Sequence, residues 1–389
     1  MKRKLVVAAL GTTQTLAWGS SYYLPAVLAQ PIADGLGLSR VMVFGVFSGS
    51  LLLSAFLSPA VGRAIDNRGG RGVLVLSNIV LAAGLVWLAL AQGVIGLAAA
   101  WGALGVGMAL GLYDSAFATL TGLYGRAARA PITGITLIAG FASTIGWPLS
   151  AFLDASLGWR GTCLTWAALN LLVCLPLNRF LIPHAPPPEH APEPERGPTA
   201  APRAAMPLLA FVFAATWFVT GAMAAHMPRL LEIAGASSTA AIAAAALVGP
   251  AQVAARLVEF RALRLVHPLV SARIAAALHP VGAGILVAFG APAITAFALF
   301  HGAGNGLLTI AKGTLPLAIF GPIGYGLRNG VLAAPARAAQ ATSPLIFGLL
   351  IDWLGVGALA ISASMSIAAL LALMGLRAHT APAAVPSRA

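Results

Sequence analysis

The feature that most limits what this chain can fold into is its near-unbroken succession of apolar stretches, each about twenty residues long, running from Leu5 to Leu376. A helix of that length crosses roughly 30 Å of hydrocarbon at about 1.5 Å per residue. In lipid, only a helix or a closed barrel satisfies its own backbone. Composition agrees: 59% of the 389 residues are hydrophobic and only 8% are charged, which excludes an ordinary soluble globule. The first stretch, Leu5 to Ala29, is of full spanning length and lacks a small-residue cleavage pattern, so it reads as a first helix rather than a removable signal. Cys163 and Cys174 share one apolar segment, where the helical rise puts them about 16 Å apart, beyond disulfide reach, so they read as core residues.

Pro, Gly and charged punctuation divides the chain into candidate spans near 5–29, 41–61, 73–91, 95–123, 131–153 and 162–182, then 207–231, 239–260, 268–289, 293–311, 330–350 and 355–376. The expected architecture is an all-α membrane protein of twelve transmembrane helices in two pseudo-symmetric six-helix bundles, residues 1–182 and 207–389. A cytoplasmic linker over 183–206, rich in Pro, Ala, Glu and His, joins them. A trace of internal repetition supports the pairing, since Gly62-Arg63-Ala64-Ile65-Asp66 after the second span has a degraded counterpart in Phe260-Arg261-Ala262-Leu263-Arg264 after the eighth. Gly105, Gly107 and Gly111 in the fourth span likewise correspond to Gly302, Gly304 and Gly306 in the tenth, as halves that rock past one another require.

Loop charge gives orientation. One set of connections and ends carries Lys2, Arg3, Lys4, Arg63, Arg68, Arg71, Arg126, Arg129, Arg179, Arg196, Arg203, Arg261, Arg264, Arg328, Arg337, Arg377 and Arg388, and the opposite set only Arg40, Arg160 and Arg229. The positive-inside rule therefore puts both termini and the linker in the cytoplasm. The net charge of +13 is mostly this bias and is dispersed without an aromatic-interleaved patch, so nucleic acid is not an expected partner.

The loop after the second span, Gly62-Arg63-Ala64-Ile65-Asp66-Asn67-Arg68-Gly69-Gly70-Arg71, resembles the signature loop of the major facilitator superfamily. The resemblance implies a gating role for Gly62, Asp66 and Arg71, with Asp66 and Arg71 locking the cytoplasmic helix ends in the outward-open state. A narrower resemblance, to bacterial relatives of monocarboxylate transporters and the oxalate/formate antiporter, rests on Trp18-Gly19-Ser20-Ser21-Tyr22-Tyr23-Leu24-Pro25 and on Gly111-Leu112-Tyr113-Asp114-Ser115-Ala116-Phe117. It rests also on Tyr124, Arg126, Arg129, Gly134 and Ala139-Gly140 at the fifth span, on Gly158-Trp159-Arg160, and on Gln252-Val253-Ala254-Ala255-Arg256. Where those relatives often carry an acid on the first helix this chain has Thr13, Gln14 and Thr15, and where many carry Asp on the eighth it has Gln252. What the resemblance implies is a bacterial inner-membrane carrier of small monocarboxylates.

Ionisable groups inside spans are expensive and so are site candidates. Arg256 is an expected anion clamp, because a guanidinium stays charged and binds a carboxylate bidentately, with Gln252 one turn away to orient it. The competing reading is that Arg256 snorkels to the surface or pairs with Glu259. His301, Asn305, Thr309 and Lys312 fall on one face of the tenth span. His301 and His226 are candidate proton carriers or plain packing residues, and Lys312 faces the cavity or reaches the interface. Asp114 is a candidate proton site or a structural partner of Arg71. Tyr22, Tyr23 and Tyr113 are candidate cavity hydroxyls or packing aromatics.

Cations outnumber carboxylates among these groups, which points to transport of small organic anions by alternating access, with a co-transported proton or exchanged anion overcoming an inside-negative potential. The alternative is an efflux pump for hydrophobic or cationic compounds. No HExxH, GxSxG, Walker or CxxC pattern occurs, so neither an enzyme nor a metal or cofactor is expected; the expected partners are the anion and membrane lipid, and the expected state a monomer.

Overall fold

The computed structural model describes residues 3–184, 204–262 and 266–376. The described part is helical throughout. Most of the linker expected over 183–206, and the end of the repeat at Leu263 and Arg264, lie outside the described residues.

The first span is α1 (Arg3–Ser20) and α2 (Leu24–Leu36), then come α3 (Arg40–Arg68) and α4 (Gly70–Leu90), and the fourth span is α5 (Gly93–Gly111) with α6 (Tyr113–Tyr124). The fifth is α7 (Arg129–Ala139) with the first part of α8 (Ala142–Leu169). The sixth is the remainder of α8, a π turn at Asn170–Cys174, and α9 (Leu175–Leu181). Gly158, at φ 70° and ψ 172°, turns the chain between them, a conformation open to glycine because it lacks a Cβ. The second half runs α10 (Ala205–Ile233), α11 (Ser238–Ala246) with α12 (Val248–Arg261), α13 (Pro268–Phe289), α14 (Ile294–Phe320), α15 (Tyr325–Leu354) and α16 (Ala358–Met374).

Eight helical segments of the described residues are long and apolar enough to cross a membrane, but Gly93–Leu181 has 89 residues and Tyr325–Met374 has 50. At roughly 20 residues per crossing these are three passes and two, and the broken α1–α2 adds another, which makes twelve. The first and fourth spans, expected to be continuous, are interrupted at 21–23 and at Leu112, and both interruptions fall in the stretches that carry the aromatic and acidic site candidates. The eleventh span starts at Tyr325 rather than near Gly330. Arg337, assigned by charge counting to a loop, therefore lies about 18 Å inside a helix and is buried. The tenth span likewise continues to Phe320, which puts Lys312 well inside it.

Each half buries its own core, around Leu28, Leu85, Trp101 and Trp166 in the first and around Phe213, Leu269, Phe297 and Phe347 in the second. The glycine correspondence has the same structural cause in both. A Cβ on Gly105 would strike Ser50 of α3, and one on Gly107 or Gly111 would strike Leu81 or Ser77 of α4. Gly302 and Gly306 lie equally close to Val248 and Gln252 of α12, and Gly304 to Ala275 of α13. The fourth and tenth spans thus pack by close backbone approach on equivalent neighbours, as expected of related halves.

The halves meet most tightly at the face that carries Arg3, Ile182 and Ala205, here termed the linker face. Gly62 of α3 lies against the Gly326 carbonyl of α15, and Gly330 against Ser58. The Asp66 carboxylate accepts from the Gly326 and Leu327 backbone N–H groups, at 2.8 and 2.7 Å, and so caps α15 with a residue of the opposite half. A second tie joins the fifth and eighth spans: Arg129 donates to Glu259 at 3.2 Å and to the Val266 carbonyl at 2.7 Å, and Ser271 donates to Glu259 at 2.6 Å. Glu259 is thereby taken up by Arg129 and Ser271 and is not the partner of Arg256. Arg71, expected to act with Asp66, instead contacts His184 at the end of the sixth span.

His267 stands beside the Arg129 tie and caps α13, its Nδ1 accepting from the Leu269 N–H at 3.1 Å. Burial, with Arg129 and Arg273 nearby, holds its imidazole below its ordinary 6.5. The folded state therefore binds the proton less readily than the unfolded one, and the cap's contribution is present above about 6.5 and lost as pH falls through the lowered value. His267→Asn, which keeps a capping acceptor that does not titrate, is expected to show a smaller drop in melting temperature on acidification than the parent, measured side by side from pH 7 to pH 5.

Candidate functional site

Among the described residues, cavities in the interior include two that are lined in part by the polar face of α14. The first lies at the seam between the halves, comprises about 460 Å³ of space with open solvent included, and is bounded by Trp18, Tyr22, Tyr113, Asp114 and Phe117 from the first half and Trp217, Thr309, Lys312, Arg337 and Gln340 from the second.

Asp114 sits in the first turn of α6, just after the break at Leu112, and reaches across the seam. Lys312 Nζ lies 2.8 Å from its Oδ1, Arg337 Nη2 lies 2.8 Å from its Oδ2, and the Asn329 amide adds a contact at 3.3 Å. Arg337 also donates to Ser54, and Lys312 Nζ lies 4.9 Å from the centre of the Trp217 ring. All three charged side chains are less than a tenth exposed. The pairing with Arg71 foreseen for Asp114 does not occur, because its partners lie in the helix interiors of the other half.

Arg256 is also buried, and its guanidinium donates to Gln252 at 3.2 Å, to the Thr136 carbonyl at 3.4 Å and to Thr309 at 3.5 Å. Gly140 of the fifth span leaves the room this group fills, since a Cβ there would overlap Nη1. Thr309 lines the seam cavity, so Arg256 stands at its edge. Arg256 Nε and Trp18 Nε1 are buried donors with no partner among the described residues. Three buried cations therefore face one buried carboxylate, and the unpartnered buried atoms beside them are the donors Arg256 Nε and Trp18 Nε1 and the acceptor Asn329 Oδ1; the charge imbalance is the part of this arrangement that accepts an anion.

The other candidates separate. Tyr22 accepts from Gln340 Nε2 at 2.7 Å across the seam, and Tyr113 stacks on Phe117 with centroids 5.3 Å apart. Tyr23 packs between Trp18 and Trp147. Asn305 accepts from Thr220 at 3.1 Å, and with His301 it lines the second cavity, of about 280 Å³, inside the second half. His226 bonds the Pro344 carbonyl at 2.7 Å and lines neither cavity. Sequence reasoning missed Arg337, Asn329, Gln340 and His279. The signal for the first three was available: they recur on one face of α15 at helical spacing once that helix is begun at Tyr325.

A bundle of twelve membrane-spanning helices in two related halves, with a charged cavity at the seam, defines a membrane carrier. The chain belongs to the major facilitator superfamily, whose family model matches residues 10–300, and that membership implies a transporter. A search of curated proteins gave no match to its sequence. Among solved structures it is similar to the human organic anion transporter MFSD10 (TETRAN), with a TM-score of 0.72 and 18% identity over 97% of this chain and 100% of that one. It is similar also to the proton:xylose symporter XylE, with a TM-score of 0.74 and 16% identity over 96% of both chains. A third likeness is to the transporter FucP in the outward conformation, with a TM-score of 0.73 and 14% identity over 95% of this chain and 98% of that one. At these identities the likenesses speak for the fold.

Proposed function

We propose that this protein is a secondary carrier of small organic anions, monocarboxylates foremost, which works as a monomer by alternating access in a bacterial inner membrane with the linker face in the cytoplasm. The observation that carries this reading is the imbalance at the seam, where Arg256, Lys312 and Arg337 are buried around the single carboxylate of Asp114. Buried charge is tolerable when paired, and a substrate carboxylate supplies the missing partner. Its acceptors fit the unpartnered donors of Arg256 and Trp18, and its apolar part fits the aromatic wall of Trp18, Tyr113 and Trp217.

Asp114 belongs to one half and Lys312 and Arg337 to the other, so a carboxylate that competes for those cations loosens a tie across the seam. Binding is in this way linked to the relative movement of the halves. With the linker face cytoplasmic, the Gly62, Gly330 and Asp66 contacts seal the inner side, and the site loads from outside. The solved structures with this fold include that of a human organic anion transporter, which agrees in substrate class. The reading as an efflux pump for cationic or hydrophobic compounds requires an available carboxylate in the cavity, and both Asp114 oxygens are occupied by cations.

The test is uptake of a panel of monocarboxylates, from formate to benzoate, by proteoliposomes under an imposed pH gradient. Arg256→Gln, which keeps hydrogen bonding but loses the charge, is expected to lower uptake at limiting concentration by about tenfold, mainly by raising KM. Transport by that variant equal to the parent's for every carboxylate would remove the clamp role.

A further inference from the structure

The second cavity holds an arrangement that the seam site does not use. His279 of α13 and His301 of α14, each 5% exposed, face one another with their Nδ1 atoms 3.0 Å apart. His279 Nε2 lies 3.0 Å from Ser362 Oγ of α16, and Ser362 in turn donates to the Leu359 carbonyl at 3.0 Å. One tautomer assignment follows when the Ser362 hydroxyl donates to Leu359, as its geometry allows. In that assignment Ser362 accepts from His279, whose Nε2 carries hydrogen and whose Nδ1 is bare. His301 then donates from Nδ1 to His279, and its own Nε2 is left as a lone-pair nitrogen with no protein partner among the described residues.

We propose that His301 Nε2 is the atom that takes up the co-transported proton, with His279 and Ser362 as the residues that position it. The proton arrives from water as hydronium, an N–H bond forms with the Nε2 lone pair, and water is released. The resulting imidazolium keeps its Nδ1–H bond to His279, which delocalises charge along the same chain. No other ionisable group lines this cavity among the described residues. The faces of α10 and α16 present Thr216, Thr220, Ser362 and Ser366, while the charged groups of α12 and α14, Arg256 and Lys312, stand beyond Asn305 at the seam.

Coupling follows from that placement, and it rests on the anion reading above. His301 and Asn305 line the inner cavity, whereas Thr309 and Lys312, one and two turns further along the same face of α14, line the seam. With three cations and one carboxylate at the seam, a further positive charge on His301 is disfavoured until an anion has bound there. Anion and proton therefore assist one another's binding, and the assistance is reciprocal.

The experiment uses the full chain in proteoliposomes with an entrapped pH-sensitive dye and with pyruvate and benzoate as probes. In the parent, inward movement of the probe is expected to carry protons inward. In His301→Gln, proton-driven uptake is expected to fall at least about tenfold, while exchange of internal for external probe, which needs no net proton movement, stays within about twofold. Retention of the dye signal in that variant overturns the assignment. Probe exchange by the parent without any dye signal overturns the dyad alone, whereas a parent that moves neither probe overturns the anion reading and the dyad with it. Should loss of the ring abolish folding, Ser362→Ala keeps both rings and is expected to shift the pH of half-maximal uptake; an unchanged midpoint is equally fatal to the proposal.

Discussion

Asp114→Asn is expected to abolish net transport, with uptake down at least about 100-fold, and to cost about 3–5 kcal/mol of stability. Among the described residues the carboxylate is the one anionic partner of Lys312 and Arg337 in the interior, with contacts of 2.8 Å to each. Its amide isostere keeps the shape and loses the charge, which strands two buried cations. The cost of breaking such a cluster comes mostly from the uncompensated charges and not from the lost attraction. A substrate anion offers the same remedy as Asp114 did, so the purified variant is expected to gain more melting temperature from saturating benzoate than the parent gains, because ligand binding to the folded state adds stability by mass action. Thermal unfolding with and without benzoate, beside proteoliposome uptake, checks both halves of the expectation. A variant as stable as the parent, with transport intact, would mean that the two cations are satisfied by some other arrangement.

The legible part of this protein is what lipid demands of a sequence. Spans could be marked because an unpaired backbone group in hydrocarbon is prohibitive, which leaves long apolar helices as the solution and gives the hydropathy pattern its force. Neighbours on one helix were legible for a similar reason: Gln252 and Arg256, four residues apart, do bond, and His301, Asn305, Thr309 and Lys312 do share a face. Partners on different helices were not, because apolar periodicity does not encode the register of one span against another. Asp114 and Arg337 are 223 residues apart in sequence, and His279 and His301 are brought together only by the packing of α13 on α14.

The glycine-rich stretch before Gly330 illustrates a more specific failure. Gly321, Pro322, Gly324 and Gly326 read together as a loop, and α15 does begin among them, at Tyr325. Gly326 and Gly330, however, are helical residues whose missing Cβ atoms admit the second span. The sequence reading began the span at Gly330, more than a turn late, and counted Arg337 with the loop cations although that span contains it, which hid one of the three cations of the site. Glycine in a membrane helix signals close approach as readily as a turn, and local pattern does not tell the two apart.

That close approach supplies the second large effect. Gly62→Ala is expected to drive the protein out of the conformation described here and to lower transport at least about 100-fold, because a cycle that cannot close the linker face cannot return its site. A Cβ on Gly62 would stand 1.9 Å from the Gly326 carbonyl oxygen, and one on Gly326 would stand 2.4 Å from that of Gly62, so the overlap is between two backbones and no side chain can rotate away. Asp66 depends on the same contact, since its hydrogen bonds to the Gly326 and Leu327 N–H groups hold only while α3 and α15 touch. The methyl group thus acts on one state of the carrier. In the state where the linker face is open the two backbones separate and alanine is harmless, so the folded protein persists and its population shifts. Spin labels placed on Arg63 and Arg328, exposed or half-buried residues flanking the contact on the two halves, are expected to report a longer distance in Gly62→Ala than in the parent. An unchanged distance distribution together with parental transport would show that the halves do not need to approach this closely, and the seal at the linker face would then have to reside in the Arg129 tie to Glu259 and Val266.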